Sequence, residues 1–268
     1  MARRKNKNNQ GNSINVHTDE FKNATRLLWV YNRYLSQEEV LTARKCGLAL
    51  PEPAGWGTGF FVEKMVVKWM RSVPKIFLVT NRHVLEGAKQ VWFKPQIAPG
   101  TPAVAEVVIF VEGKVQIAPD LDLAVVDVTD RILDLQKKFP NIQLDPISYD
   151  RLPTGPGQLS ILEGGTPIAF LGYVDAKSRD NNPARGIGEV SESSRNQSDF
   201  LVSTTPTITH GASGSPTFAT IGARSKLIGI ATEMEYQDIN APNVQFKTTT
   251  YGHVLKASAL KDLLDRLS

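Results

Sequence analysis

The segment Thr209-His210-Gly211-Ala212-Ser213-Gly214-Ser215-Pro216 places a serine between glycines. Such flanks permit a tight turn with unusual backbone angles, which leaves the hydroxyl exposed and aims two backbone N–H groups at one point. A serine hydroxyl is a poor nucleophile alone. It needs a base within hydrogen-bond reach, usually an imidazole that a third group holds in the right tautomer. The chain has four histidines, His17, His83, His210 and His253. His83 follows the apolar run Phe77-Leu78-Val79, where a buried strand ends and a short turn begins, so its ring is expected at a cleft. Asp122 opens the apolar stretch Leu123-Ala124-Val125-Val126, where a carboxylate is costly to bury without a partner, and an imidazole N–H is such a partner.

The elements that must carry these groups read as short strands. Twenty glycines and sixteen prolines are spread along the chain and punctuate runs rich in Val, Ile, Phe and Thr, the spacing of an antiparallel barrel or sandwich. About six such runs lie between Ala24 and Val128, and about six more between Pro167 and Tyr251. The Pro/Gly-rich stretch Leu152 to Gly157 separates the two sets. Two segments read as helix. Ser36 to Lys45 begins with a serine followed three residues later by Glu39, a capping box. Ala257 to Leu267 carries Leu260, Leu263, Leu264 and Leu267 at helical spacing and is expected to close the second barrel. Asp175 to Arg185 reads as an exposed, mobile loop.

Composition narrows the functional classes. The 268 residues suffice for one large domain or two small ones sharing an interface. Lysine and arginine number 31 against 27 acidic residues, and the excess of four sits in Arg3, Arg4, Lys5 and Lys7. The remainder is neutral, so no nucleic-acid partner is expected of the folded part. No apolar run reaches the length of a membrane span, and no membrane partner is expected. The first residues lack the apolar core of a signal peptide, and Cys46 is the only cysteine, which permits a reducing compartment. No Cys/His set has metal-ligand spacing, so neither metal nor cofactor is expected.

The order His83, Asp122, Ser213, each in its sequence context, resembles the trypsin/chymotrypsin-like serine protease family on its intracellular or Deg-type branch. Four segments carry the likeness: Gly57-Thr58-Gly59-Phe60-Phe61-Val62, Val79-Thr80-Asn81-Arg82-His83-Val84, Asp122-Leu123-Ala124-Val125, and Gly211-Ala212-Ser213-Gly214-Ser215-Pro216. The resemblance implies an all-β fold of two six-stranded antiparallel barrels with a C-terminal helix and the site between them. It divides the chain into a disordered basic tail (1–23), a barrel bearing base and acid (24–145) and a barrel bearing the nucleophile (146–268). It implies Ser213 as nucleophile, His83 as general base, Asp122 as the orienting acid, and the backbone N–H groups of Gly211 and Ser213 as the oxyanion hole. The substrate pocket would be walled by Pro206 to His210 and by Ala231 to Met234, which brings in Thr207, His210, Thr232 and Glu233. The expected activity is cleavage of protein or peptide substrates in the cytoplasm, with a possible regulatory protein partner.

Two departures qualify the likeness. Ala212 stands where zymogen-activated members have an aspartate, which removes that route of activation. Ser215 replaces a common second glycine and is small enough for the turn. An α/β-hydrolase order, Ser213, Asp238, His253, is disfavoured because position 215 is not glycine and helices between the strands are lacking. A non-catalytic or latent protein-interaction module on the same fold stays open. In the latent case, Asp175 to Arg185 and the nucleophile loop would order together when substrate or a partner binds.

Overall fold

A computed structural model describes residues 16–46, 48, 50–100, 106–153, 162, 164–173, 182–192, 200–203, 211–241 and 244–267. The first half contains β1 (Thr25–Tyr31), α1 (Gln37–Lys45), β2 (Gly55–Lys68), β3 (Arg71–Thr80), α2 (Arg82–Leu85), β4 (Gln90–Phe93), β5 (Gln96–Ile97) and β6 (Val107–Phe110). It continues through β7 (Val115–Ile117), β8 (Ala124–Asp127), α3 (Thr129–Lys138), β9 (Ile142–Gln143) and β10 (Ile147–Ser148). The second half holds β11 (Pro167–Gly172), β12 (Ala184–Glu192), β13 (Phe200–Ser203), β14 (Pro216–Ile221), β15 (Arg224–Ala241), β16 (Val244–Lys256) and α4 (Ala257–Arg266).

The two halves match the expected two-barrel fold and close to different degrees. Six strands in the order β11-β12-β13-β16-β15-β14 form a closed antiparallel barrel. The first half is a curled sheet in the order β6-β4-β1-β2-β3-β8-β7, with β10 added in parallel to β2. It carries more strands than the six expected, because the chain leaves and rejoins the sheet edge in short pieces. Each half has its own interior cluster, Phe61, Leu78 and Val126 in the first and Phe170, Ala219 and Val254 in the second, and the faces that the halves turn toward each other share a third. Phe60, Val62, Phe77, Val79 and Val125 of the first half lie in one buried cluster with Ala169, Leu171, Phe218 and Ile230 of the second.

Local sequence accounts for the helices. In α1 the Ser36 hydroxyl accepts from the Glu39 N–H at 3.1 Å and the Glu39 carboxylate accepts from the Ser36 N–H at 2.8 Å, the capping box in full. Leu260, Leu263 and Leu264 of α4 are buried in the shared core, each contributing about 1.5–3 kcal/mol of transfer free energy. Packed structure is present ahead of the expected boundary at residue 24. Residues 1–15 of the expected tail lie outside the described residues, but Val16 is buried and Asp19–Ala24 form a 3-10 helix. Phe21 of that turn stacks on Phe218 with ring centroids 4.3 Å apart, so an aromatic contact to the second half holds it down.

Candidate active site

Strand pairing brings the expected base and acid together. Thr80 at the end of β3 is opposite Ala124 at the start of β8, so the residues after one and before the other leave the sheet at the same edge. His83 sits in α2 just past that edge, and Asp122 in the loop just before it. Asp122 Oδ1 accepts from the His83 backbone N–H at 3.0 Å, and its Oδ2 lies 2.7 Å from His83 Nδ1. Two further residues fix the acid. Buried Asn81 donates from Nδ2 to the Asp122 backbone carbonyl at 2.9 Å, and Thr232 of β15 donates from Oγ1 to Asp122 Oδ2 at 2.6 Å.

These contacts set the protonation states. Burial pushes the Asp122 carboxyl up, but hydrogen bonds from the His83 ring, the Thr232 hydroxyl and the His83 backbone N–H outweigh it, and the group is held below its ordinary value. An ionised carboxylate can only accept. Nδ1 therefore donates to Asp122, and in the neutral tautomer Nε2 is the nitrogen that can accept a proton. The His83 side chain is 49% exposed, so the ring is about half open to solvent.

Ser213 lies on a loop that both halves clamp. Gly211 and Gly214 have φ of +91° and +87°, in the left-handed region. At Gly214 a Cβ would stand 2.0 Å from the Thr58 carbonyl oxygen, so no side chain fits there. Gly214 N–H donates to the Ala231 carbonyl at 2.8 Å and Ala231 N–H to the Ser215 carbonyl at 2.9 Å, which ties the loop to β15. Thr58 of β2 supplies the clamp from the first half. Its N–H donates to the Ser213 carbonyl at 2.9 Å, its Oγ1 donates to the Gly211 carbonyl at 2.8 Å, and Oγ1 accepts from the Tyr173 N–H at 3.0 Å. Thr80, at the end of the strand leading to His83, donates to the Thr58 carbonyl at 2.7 Å.

The three expected catalytic residues thus meet around Thr58 and Thr232. A Cβ at Gly57 would touch Val84, the neighbour of His83, at 2.8 Å and the Ser213 carbonyl at 3.4 Å, which marks how closely the two loops approach. The Ser213 hydroxyl donates to the Thr232 backbone carbonyl at 3.1 Å, and no hydrogen bond joins it to His83. Among the described residues, neither the Gly211 nor the Ser213 backbone N–H has an acceptor. Two donors on adjacent turns of a glycine-rich loop can receive an oxyanion. Thr232, read from sequence as a pocket wall, has its hydroxyl on Asp122 and its carbonyl on Ser213. Thr207 and His210 lie outside the described residues, as do the side chain of Glu233 and residues 175–181 of the expected loop. Arg185, at the end of that loop, belongs to β12 and donates to the Val16 carbonyl at 2.8 Å.

The sequence match agrees with this geometry: residues 57–230 fit the family model of the trypsin-like peptidase domain. The chain belongs to the trypsin-like peptidase family. Solved structures share its fold at low identity. An HtrA-type protease, AlgW with a tripeptide, aligns at 17% identity and a TM-score of 0.52, covering 93% of this chain and 62% of that one. A thermostable serine protease, AL20, from an extremophilic microorganism aligns at 11% identity and 0.51, covering 92% and 97%. HL collagenase aligns at 12% identity and 0.51, covering 92% and 95%. No curated protein matches the chain. The chain spans 62% of the length of the AlgW chain, and the likeness to all three is one of fold. Among its described residues no helix is long and apolar enough to cross a membrane.

Proposed function

We propose that the chain is a serine endopeptidase acting on protein or peptide substrates through an acyl-enzyme on Ser213. Ser213 Oγ attacks the scissile carbonyl carbon while its proton passes to His83 Nε2. The negative charge that builds on the carbonyl oxygen is received by the N–H groups of Gly211 and Ser213. The imidazolium is stabilised by Asp122 and returns the proton to the leaving amine, after which water hydrolyses the ester by the same steps. The observation that carries this reading is the 2.7 Å contact between His83 Nδ1 and an Asp122 carboxylate held ionised, since it leaves Nε2 as the base. Rotation about the Cα–Cβ bond of Ser213 would turn its hydroxyl from Thr232 toward the ring, and catalytic hydrogen bonds commonly tighten only when substrate is bound.

The branch we assign is the intracellular or Deg-type one, with the cytoplasm as its site of action. Ala212 is fully buried, so an aspartate there would need a buried cation to pair with. The hydrogen bond from the Ser213 hydroxyl to the Thr232 carbonyl favours a second reading, a latent state in which substrate or a partner must turn the serine. Cleavage profiling with a peptide library tests both. Cleavage by the isolated chain, lost by about 10⁴–10⁶ in S213A and in H83A, supports the endopeptidase. Cleavage that S213A leaves intact overturns it, and no cleavage by the wild type points to latency or a non-catalytic module.

A further inference from the structure

The hairpin of β2 and β3 runs well past the sheet. Lys68 pairs with Arg71, so the turn consists of Trp69 and Met70 alone, with φ of +49° and +63°. A two-residue turn with both centres in the left-handed region favours Asn-Gly, and bulky side chains are strained there. Here the strained positions hold two large apolar side chains that touch almost nothing: Trp69 is 96% exposed and Met70 98%. Val67 of β2, two residues before Trp69, is 79% exposed. Folding gains little from these residues at this turn, and strain retained without a packing return points to a role outside the fold.

The charges around the tip say what would cover it. From Lys64 to Lys75 the sequence holds four cations and no carboxylate. The two at the root are committed to the body of the protein: Lys64 Nζ lies 2.7 Å from Asp265 of α4, and Lys75 Nζ lies 3.3 Å from Asp127 of β8. The two beside the tip, Lys68 and Arg71, are exposed and make no ion pair among the described residues. Lys68 lines an open groove with Asp130 and Asp134 of α3 but pairs with neither. An aromatic tip with free cations directly behind it suits a layered surface, apolar within and anionic at its boundary. Tryptophan favours the interface between acyl chains and headgroups, and lysine and arginine next to it meet anionic lipid.

We infer that the Trp69-Met70 hairpin is a docking element for anionic phospholipid surfaces. A protein partner fits less well, because a two-residue convex tip offers far less than the ~800 Å² that each side of a stable protein interface buries. The expectation of no membrane partner concerned spanning segments, and a tip of this kind lies in the interface without spanning it. The tip is twelve residues along β2 from Gly57, up to about 40 Å of strand. Docking there leaves the catalytic cleft free, and the inference does not depend on Ser213 being active.

The test is sedimentation of the full chain with vesicles of phosphatidylcholine, with and without phosphatidylserine. The wild type is expected to bind the vesicles containing phosphatidylserine and to be released by salt. W69N/M70G installs the favoured turn pair, so it should raise the melting temperature while lowering vesicle binding about tenfold or more. K68Q and R71Q should each lower binding about fivefold. The basic residues near the start of the chain remain in all three variants, so binding that survives in W69N/M70G would assign it to them and overturn the inference. A wild type that does not bind overturns it too, as does a change in oligomeric state on W69N/M70G without lipid, which would make the tip a contact between copies.

Discussion

Removing the Thr58 hydroxyl should weaken the joint that holds the nucleophile loop to the first half. Thr58→Val keeps the side chain's shape and deletes one oxygen, which donates to the Gly211 carbonyl at 2.8 Å and accepts from the Tyr173 N–H at 3.0 Å. Thr58 is fully buried, so water cannot take its place at either group. An unsatisfied buried donor or acceptor costs about 1–3 kcal/mol. Two of them give about 2–6 kcal/mol, a large part of the 5–15 kcal/mol typical of a folded domain. With its carbonyl released, Gly211 also loses the restraint on its backbone angles, so the Gly211 N–H can drift from the oxyanion position. Loss of one such donor costs about 10²–10³ in kcat, so partial misalignment should cost about 10–10² with little change in KM. Urea denaturation and steady-state kinetics on a substrate from the peptide library, under conditions where both proteins are folded, measure the two effects. Thr80→Val, which removes only the bond to the Thr58 carbonyl, should cost about half the stability. A Thr58→Val protein within about 0.5 kcal/mol of wild type, with unchanged kcat, would refute the clamp.

Other perturbations have equally direct readouts. Asp122→Asn should lower kcat by about 10⁴ while the fold persists, because an amide can donate to Nδ1 and select the wrong tautomer. Asp122 is held below its ordinary value in the folded state, so its contribution to stability is complete above the ordinary carboxylate value of about 4 and is lost as pH falls through the lowered one. The stability difference between wild type and Asp122→Asn, from denaturation at several pH values, should shrink as pH falls below about 4. Gly214→Ala should cost about 3 kcal/mol or more, since the new Cβ meets the Thr58 carbonyl at 2.0 Å and φ is +87°. Thermal denaturation should show this as a fall in Tm of roughly 6–12 °C.

What could be read from the sequence follows from range. The His83–Asp122 contact was legible because one residue follows an apolar run and the other precedes one, whereas Ser213 stood out only by its flanking glycines. The capping box of α1 and the leucine stripe of α4 are likewise contained in a few adjacent residues. Thr58, Thr80 and Asn81 were not legible as site residues. Their partners lie 153, 22 and 41 residues away, and a hydroxyl in a strand looks the same whether it faces solvent or a distant carbonyl. Thr232 shows the same limit: its segment was recognised, but its bond to Asp122 joins residues 110 apart. The helix α3 was missed because Thr129–Lys138 buries only Ile132 and Leu135, too few for a visible stripe. The far end of the β2–β3 hairpin has no signature in the sequence for a different reason: its apolar residues are exposed, so alternation predicts no buried face there.

Reaction with a fluorophosphonate, mapped by peptide mass spectrometry, tests the central claim most directly, because only a serine activated by a neighbouring base reacts at an appreciable rate. The account predicts a single modified residue, Ser213, in the wild type, and labelling slowed by orders of magnitude in His83→Ala with the fold retained. Labelling of Ser213 at the wild-type rate in His83→Ala, or modification of a different serine, would contradict it.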